Sequence, residues 1–144
     1  MQLSQKLKSR LTKVAITILL LWLLVVLFNL WADGNMVASI LILKETPNSI
    51  KNQECESWGF TDVLTTCYIE ISQKEFPLLL KGYTYQESQQ YTNSHEVVSG
   101  PKVGREFKVT KQFWVQPKEF EHGGTVRIYT NTEMDKAILD LYIE

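Results

Sequence analysis

One uninterrupted apolar run, residues 14–32, constrains this chain more than any other feature. It reads VAITILLLWLLVVLFNLWA and contains two polar side chains, Thr17 and Asn29, and no charged one. As a helix it would be about 28 Å long, close to the roughly 30 Å thickness of a bilayer's hydrocarbon core. Since the run has no polar face, it does not resemble the core helix of a soluble protein. The run predicts a single transmembrane helix that is embedded in the lipid bilayer.

The charges that flank the run predict its orientation. Four basic residues and no acidic residue precede it, whereas the first basic residue after it is Lys44. Such an asymmetry keeps the amino end in the cytoplasm and exports the remainder. The expected division is a cytoplasmic basic stub at 1–13, a signal-anchor helix at 14–32, a juxtamembrane segment at 33–48 and an exported domain at 49–144.

A cleaved signal peptide is the alternative interpretation of the same run. The small residues of Ala32-Asp33-Gly34 would suit a peptidase. Signal peptides have apolar regions of roughly 7–15 residues, however, and this run is longer, which favours an anchor. Both interpretations export the same domain. No asparagine has the N-x-Ser/Thr glycosylation pattern, so we expect a bacterial inner-membrane protein with a periplasmic C-terminal domain.

The exported part is acidic. All sixteen acidic residues follow Ala32, against eleven of the fifteen basic residues, which gives this part a net charge of −5. An acidic domain repels polyanions, so nucleic acid is not expected as a partner.

The spacing of apolar residues predicts an α+β fold with an antiparallel sheet and one or two short helices. Strict alternation, as in Val63–Ile71, is typical of a half-buried strand. A short helix, or alternatively a buried strand, is expected over the apolar Met36–Lys44. The predicted strands are Ile50–Ser57, Val63–Ile71, Phe107–Val115, Val126–Thr130 and Ala137–Ile143.

Two segments between these strands carry local signals. Ser72 and Glu75 have the spacing of a capping box, which predicts a short helix that ends at Gly82. Residues 86–104 are polar and contain Gly100-Pro101, which predicts a long loop.

The two cysteines, Cys55 and Cys67, are symmetric about Thr61, the centre of the first predicted turn. In that hairpin register they would face each other. An oxidising compartment then favours a disulfide, provided the pair is of the closely spaced, non-hydrogen-bonded kind. The alternative is two buried thiols on neighbouring strands.

No catalytic constellation is recognisable. His95 and His122 stand in polar, turn-forming sequence, and with the cysteines they form no recurring metal-ligand spacing. Nucleophile and phosphate-binding motifs are also absent from the sequence. We therefore predict neither an enzyme nor a cofactor.

Aromatic residues are the remaining functional signal. Most are expected to complete the core, but exposed ones would mark a surface that binds a partner. Trp114 is the strongest candidate, because it alternates with Phe113 and shares a face with polar residues. The predicted interaction surface comprises Trp114, Trp58, Phe60 and Tyr91.

These observations favour a membrane-anchored binding module, either an envelope accessory or an immunity-type protein, with another envelope protein as partner. One alternative is a small exported hydrolase that uses His95 or His122 with Glu96 or Glu121. Another is a structural subunit of a membrane complex, although residues 14–32 lack a small-xxx-small face.

Overall fold

The chain forms two compact units, Met1–Ala32 and Asp33–Glu144. The structure, a computed structural model, describes the backbone of residues 5–144 and the side chains of residues 10–28 and 35–144. Its first element, helix α1, spans Gln5–Ile40. Within α1, Arg10–Phe28 is long and apolar enough to cross a membrane. The side chains of residues 1–9 and 29–32, which belong to the predicted stub and span, lie outside the described residues.

Asp33–Glu144 is built on one six-stranded antiparallel sheet, which confirms the predicted α+β fold. The strand order is β1-β2-β6-β5-β4-β3, so β1 and β3 form the two edges. A 3-10 helix, Phe76–Lys81, and a four-residue helix α2, Ser94–Val97, lie between strands. The strands are β1 Lys51–Gly59, β2 Val63–Glu70, β3 Gln86–Asn93, β4 Lys108–Val115, β5 Gly124–Thr130 and β6 Lys136–Ile143.

The first hairpin has the predicted register, with Cys55 opposite Cys67. Their Cα atoms are 4.1 Å apart, which fits the closely spaced type of antiparallel pair. The two side chains form a disulfide with an S–S distance of 2.06 Å. This bond joins β1, an edge strand with mostly exposed side chains, to the buried strand β2.

One face of the sheet, here called the helix face, packs against the end of α1 and the 3-10 helix. Val37, Ile40 and Leu41 have the spacing of one helical face, and all three are buried. They pack with two residues of the 3-10 helix, Phe76 and Leu79, in the main hydrophobic cluster. From the sheet, this cluster receives Cys67, Ile69, Phe113, Val126, Ile128, Ala137 and Leu139.

The separate short helix predicted over Met36–Lys44 is therefore wrong in its bounds. Residues 36–40 belong to the end of α1, which continues without a break from the apolar segment and ends at Ile40. Asp33-Gly34 does not end the helix, since a helical glycine costs only about 1 kcal/mol relative to alanine. Burial of Val37 and Ile40 can offset that cost.

The predicted capping box is also wrong. Ser72 and Glu75 both turn towards Ser49 instead of capping each other. The Glu75 carboxylate accepts the Ser49 backbone N–H at 3.0 Å, and the hydroxyl oxygens of Ser72 and Ser49 are 2.9 Å apart. Hydrogen bonds that Ser49 donates to its carboxylate lower the pKa of Glu75. A contact between residues 26 positions apart thus replaces the local one that the sequence pattern predicts.

The long loop predicted over residues 86–104 is wrong in its first half, which forms β3 and α2. Nearly all side chains of β3 are exposed, so this edge strand has no apolar alternation in its sequence. Its backbone pairs with β4, from Gln86 opposite Trp114 to Asn93 opposite Lys108. Backbone pairing with a neighbouring strand, not burial of side chains, gives this segment its structure.

The other face of the sheet is covered in part by residues 94–107, here called the strap. Val103 and Phe107 of the strap are buried against Tyr68, Tyr129 and Ile138 of the sheet. The backbone N–H of Gly104 donates to the Glu54 carboxylate of β1 at 3.1 Å. We call this side of the sheet the strap face.

Candidate functional site

The structure separates the four aromatic residues of the predicted interaction surface. Trp58 and Phe60 lie together at the tip of the β1–β2 hairpin. Tyr91 is exposed too, but it lies on β3, at the opposite edge of the sheet. Trp114 is half-buried and stands opposite Arg127 in the β4–β5 pair. These positions do not form one continuous surface; the hairpin tip alone brings two of them together.

The hairpin tip presents its aromatic side chains to solvent. Phe60 is fully exposed, Trp58 is 57% exposed, and the adjacent Val63 is 42% exposed. Single exposed apolar residues are ordinary, but here three fall within residues 58–63 around one turn. The register places Trp58 and Val63 on opposite faces of the hairpin, with Phe60 in the turn between them. We define the hairpin tip as Trp58, Phe60 and Val63.

Three features restrain the backbone of the tip. A Cβ atom at Gly59 would overlap the carbonyl oxygen of Asp62, so only glycine fits this turn. The Cys55–Cys67 disulfide closes the hairpin three residues before Trp58. Ser57 and Thr65 add a side-chain hydrogen bond of 2.8 Å between the strands. An ordered hairpin loses little conformational freedom when it binds, which favours affinity.

Acidic side chains surround the tip. The Glu56 carboxylate accepts the indole N–H of Trp58 at 3.0 Å. On the neighbouring strand β6, the Tyr142 hydroxyl donates to Glu144 at 3.0 Å. The pKa of Tyr142 is raised by this hydrogen bond, then by burial and by the negative charges of Glu144 and Asp62. The tip therefore combines exposed apolar side chains with neighbouring carboxylates.

A second polar cluster, centred on Asp140 of β6, lies beneath the strap. Asp140 is fully buried, and its Oδ1 accepts the Ser99 backbone N–H at 3.0 Å. Its Oδ2 lies 3.7 Å from Nη1 of Arg127. Burial raises the pKa of Asp140, and the interactions with Ser99 and Arg127 oppose that rise. Within the described residues, Asp140 Oδ2 and the buried Thr66 Oγ1 have no hydrogen-bond partner.

Asp140 is not among the predicted site residues, although the sequence of β6 contains one signal for it. The alternation in β6 assigns Ala137, Leu139 and Leu141 to the core and Asp140 to the opposite face. In a half-buried strand, that opposite face would meet water. The strap covers it instead, and Gly100 lies so close that a Cβ there would stand 2.8 Å from Thr66 Oγ1.

The histidines proposed for a hydrolase are placed separately in the fold. His95 lies in α2, where its Nε2 is 3.2 Å from the Val103 carbonyl oxygen, a contact within the strap. The neighbouring Glu96 accepts a hydrogen bond from Thr92, which lowers its pKa. His122 is exposed in the turn before Gly123. Among the residues described here, no group of three His, Cys, Asp or Glu side chains could hold a metal ion.

The clefts formed by the described residues of Asp33–Glu144 include two open ones. One, of about 310 Å³, is lined by polar and charged residues that include Lys51, Glu70 and Lys136. The other, of about 540 Å³, is lined by residues 42–45 together with Leu78, Lys81 and Gly82. Neither lining contains a histidine, a cysteine or an aromatic residue. The hairpin tip remains the feature best suited to contact a partner.

Comparison of the chain with protein-family models, with curated proteins and with solved structures finds no match.

Proposed function

We propose that this protein is a binding module that a bacterial inner-membrane anchor presents in the periplasm. Its hairpin tip contacts another envelope protein, as in an envelope accessory or an immunity-type protein. The observation that carries the proposal is the full exposure of Phe60 beside Trp58 on a disulfide-closed hairpin.

The anchor and its orientation are supported by the sequence around Arg10–Phe28. This helical segment has the length and composition of a membrane span. Lys6, Lys8, Arg10 and Lys13 are cationic, which favours a cytoplasmic amino end. The disulfide is consistent with export, because such bonds persist in oxidising compartments.

The aromatic tip supports binding because its exposure has no role in the fold. Phe60 makes no contribution to either hydrophobic cluster. Exposed Trp and Phe side chains supply large, rigid contact area, and residues of this kind are often binding hot spots. Placing them on a short turn suits insertion into a concave surface of the partner.

Site-specific photo-crosslinking tests the proposal in membranes that contain the full chain. Benzoylphenylalanine in place of Phe60 is expected to give a discrete adduct with an envelope protein. The same probe in place of Tyr91, which is 69% exposed on the opposite edge strand, is the matched control. The adduct from position 60 should disappear in a Trp58→Ser background. Equal adducts from positions 60 and 91, or none from position 60, would contradict the proposal.

A reporter fusion tests the orientation separately. Alkaline phosphatase needs the periplasm to form its disulfides, so a fusion after Glu144 is expected to be active. A fluorescent protein that matures only in the cytoplasm should stay dark at the same position. The reverse pattern would show that the domain is not exported.

A further inference from the structure

We infer that the partner of the hairpin tip is a protein surface with an apolar pocket bordered by basic residues, one of them an arginine over Trp58. This inference rests on the proposed function and adds the chemistry of the partner. It follows from the charges that surround the tip and from the position of one carboxylate.

The hairpin carries negative charge without a basic residue. Residues 52–73 contain no lysine or arginine, and Glu56 and Asp62 lie beside the tip. Glu54 and Glu70 lie towards the other end of the hairpin, where Lys136 stands opposite Glu70. Glu144 adds a further carboxylate beside Tyr142. In the part of the chain that is described, the ion pairs are Lys111–Glu87 and Arg127–Asp140, both away from the tip. The field at the tip is therefore negative and favours the approach of a cation.

The carboxylate of Glu56 makes the expected cation specific. It lies at the edge of the Trp58 indole, where it accepts the ring N–H at 3.0 Å. A guanidinium group can stack on the exposed indole face while it donates to a carboxylate at the ring edge. A lysine ammonium group is a compact point charge and cannot make both planar contacts equally well. The geometry thus favours arginine at this position of the partner.

The same charges disfavour other occupants of the tip. A second copy of the hairpin would bring like charges together, which opposes self-association. Anionic headgroups and nucleic acid would be repelled in the same way. A protein surface with an apolar pocket and basic residues around it complements both the apolar side chains of the tip and the neighbouring carboxylates.

Selection from a displayed library of random peptides tests the inference on the full chain in phosphatidylcholine nanodiscs. Peptides that bind are expected to combine aromatic or leucine side chains with arginine. Their affinity should fall about tenfold between low and high NaCl, because exposed charge pairs are screened. Phe60→Ser should abolish binding, and Glu56→Gln should weaken it about tenfold. The glutamine retains an acceptor for the indole N–H, so this variant removes the charge alone.

Glu133→Gln is the matched control. Glu133 is also exposed and accepts a side-chain N–H from a residue two positions away, Asn131 at 2.9 Å. It lies in the turn between β5 and β6, away from the tip, so its variant should bind with unchanged affinity.

Three results would overturn the inference, and they separate it from the proposed function. In the first, binding requires Phe60, but the peptides have no excess of basic residues and bind equally well in high salt. This result would refute the cationic partner and leave the proposed binding function intact. A library without any Phe60-dependent binder would contradict both. A photo-crosslinker at position 60 that labels phosphatidylcholine instead of peptide would identify lipid as the contact.

Discussion

The two faces of the sheet are covered in different ways. The helix face packs against regular elements, and its contacts join apolar side chains such as Leu139, Phe76 and Leu41. The strap face is covered by the irregular residues 98–107 and the short helix α2. Several individual hydrogen bonds fasten the strap, including those of Ser99 to Asp140 and of Gly104 to Glu54.

The difference shows where stability and mobility are expected to reside. Close packing of apolar side chains gives a large and non-directional contribution to folding. The strap buries fewer apolar side chains, chiefly Val103 and Phe107, and is otherwise fastened by separate hydrogen bonds of about 1 kcal/mol each, so it can open locally. Buried polar groups such as Thr66 Oγ1 and Asp140 Oδ2 lower the stability of that face further.

The largest expected effect on stability is at two adjacent residues of β6, Leu139 and Ile138. Their side chains point to opposite faces of the sheet, and both are fully buried. Leu139→Ala should lower the free energy of unfolding by about 3–4 kcal/mol, because the helix face cannot close the cavity. Ile138→Ala should cost less, about 2 kcal/mol, since the strap can move inward. Denaturant unfolding of the full chain in detergent, followed by near-UV circular dichroism, measures both. Equal losses would show that the two faces are equally rigid.

Gly104→Ala should release the strap and leave the helix face intact. Gly104 has a φ of +67°, and a Cβ there would overlap the Tyr68 ring. We expect a loss of about 2 kcal/mol from backbone strain and displacement of the strap. Hydrogen exchange should accelerate in residues 94–107 but not in Phe76–Lys81. The control is Lys102→Ala, an exposed strap position that should leave exchange unchanged.

Asp140→Asn should stabilise the protein at neutral pH, by about 1 kcal/mol. The folded state raises the pKa of Asp140. Its contribution to stability is therefore fully present below the ordinary pKa of aspartate and is lost as pH rises through the folded-state pKa. The asparagine avoids this loss and keeps an acceptor for Ser99. Melting temperatures from pH 3 to pH 8 should show the gain at neutral pH and none in acid. A variant less stable at pH 7 would show that the Arg127 pair outweighs the cost of burial.

Phe60→Ser should have the smallest effect on stability, below about 0.5 kcal/mol in either direction. The side chain is fully exposed and contacts neither face's cluster. The same denaturant experiment measures it. A substantial loss of stability would show that Phe60 supports the hairpin, and would remove the tip's exposure as evidence for binding.

Regular alternation allowed most of the sheet to be predicted. In β2, β4 and β6 the residues that contact the main hydrophobic cluster recur at every second position, although β2 and β6 are buried on both faces. The register of the first hairpin followed from the symmetric positions of Cys55 and Cys67. By contrast, β3 is exposed and polar, and no pattern marks a strand that is held by backbone pairing alone.

The candidate site was predicted only in part for a related reason. Trp58 and Phe60 were identified as aromatic residues in a turn, and they are exposed there. Trp114 and Tyr91 belong to other strands, and their distances from the tip depend on the strand order. Strand order arises from pairings between distant segments, which a single sequence does not reveal.

The amino-acid sequence by itself determined the apolar helix, the acidic character of the rest of the chain, and the pairing of Cys55 with Cys67. Each depends on composition or on the spacing of residues that are close together in the sequence, so it does not require knowledge of distant contacts. Only the tertiary structure decided that residues 94–107 cross the sheet, that Asp140 lies buried beneath them, and that Glu75 binds Ser49. These features arise because buried polar groups take hydrogen-bond partners wherever packing brings them, however far apart they are in the chain.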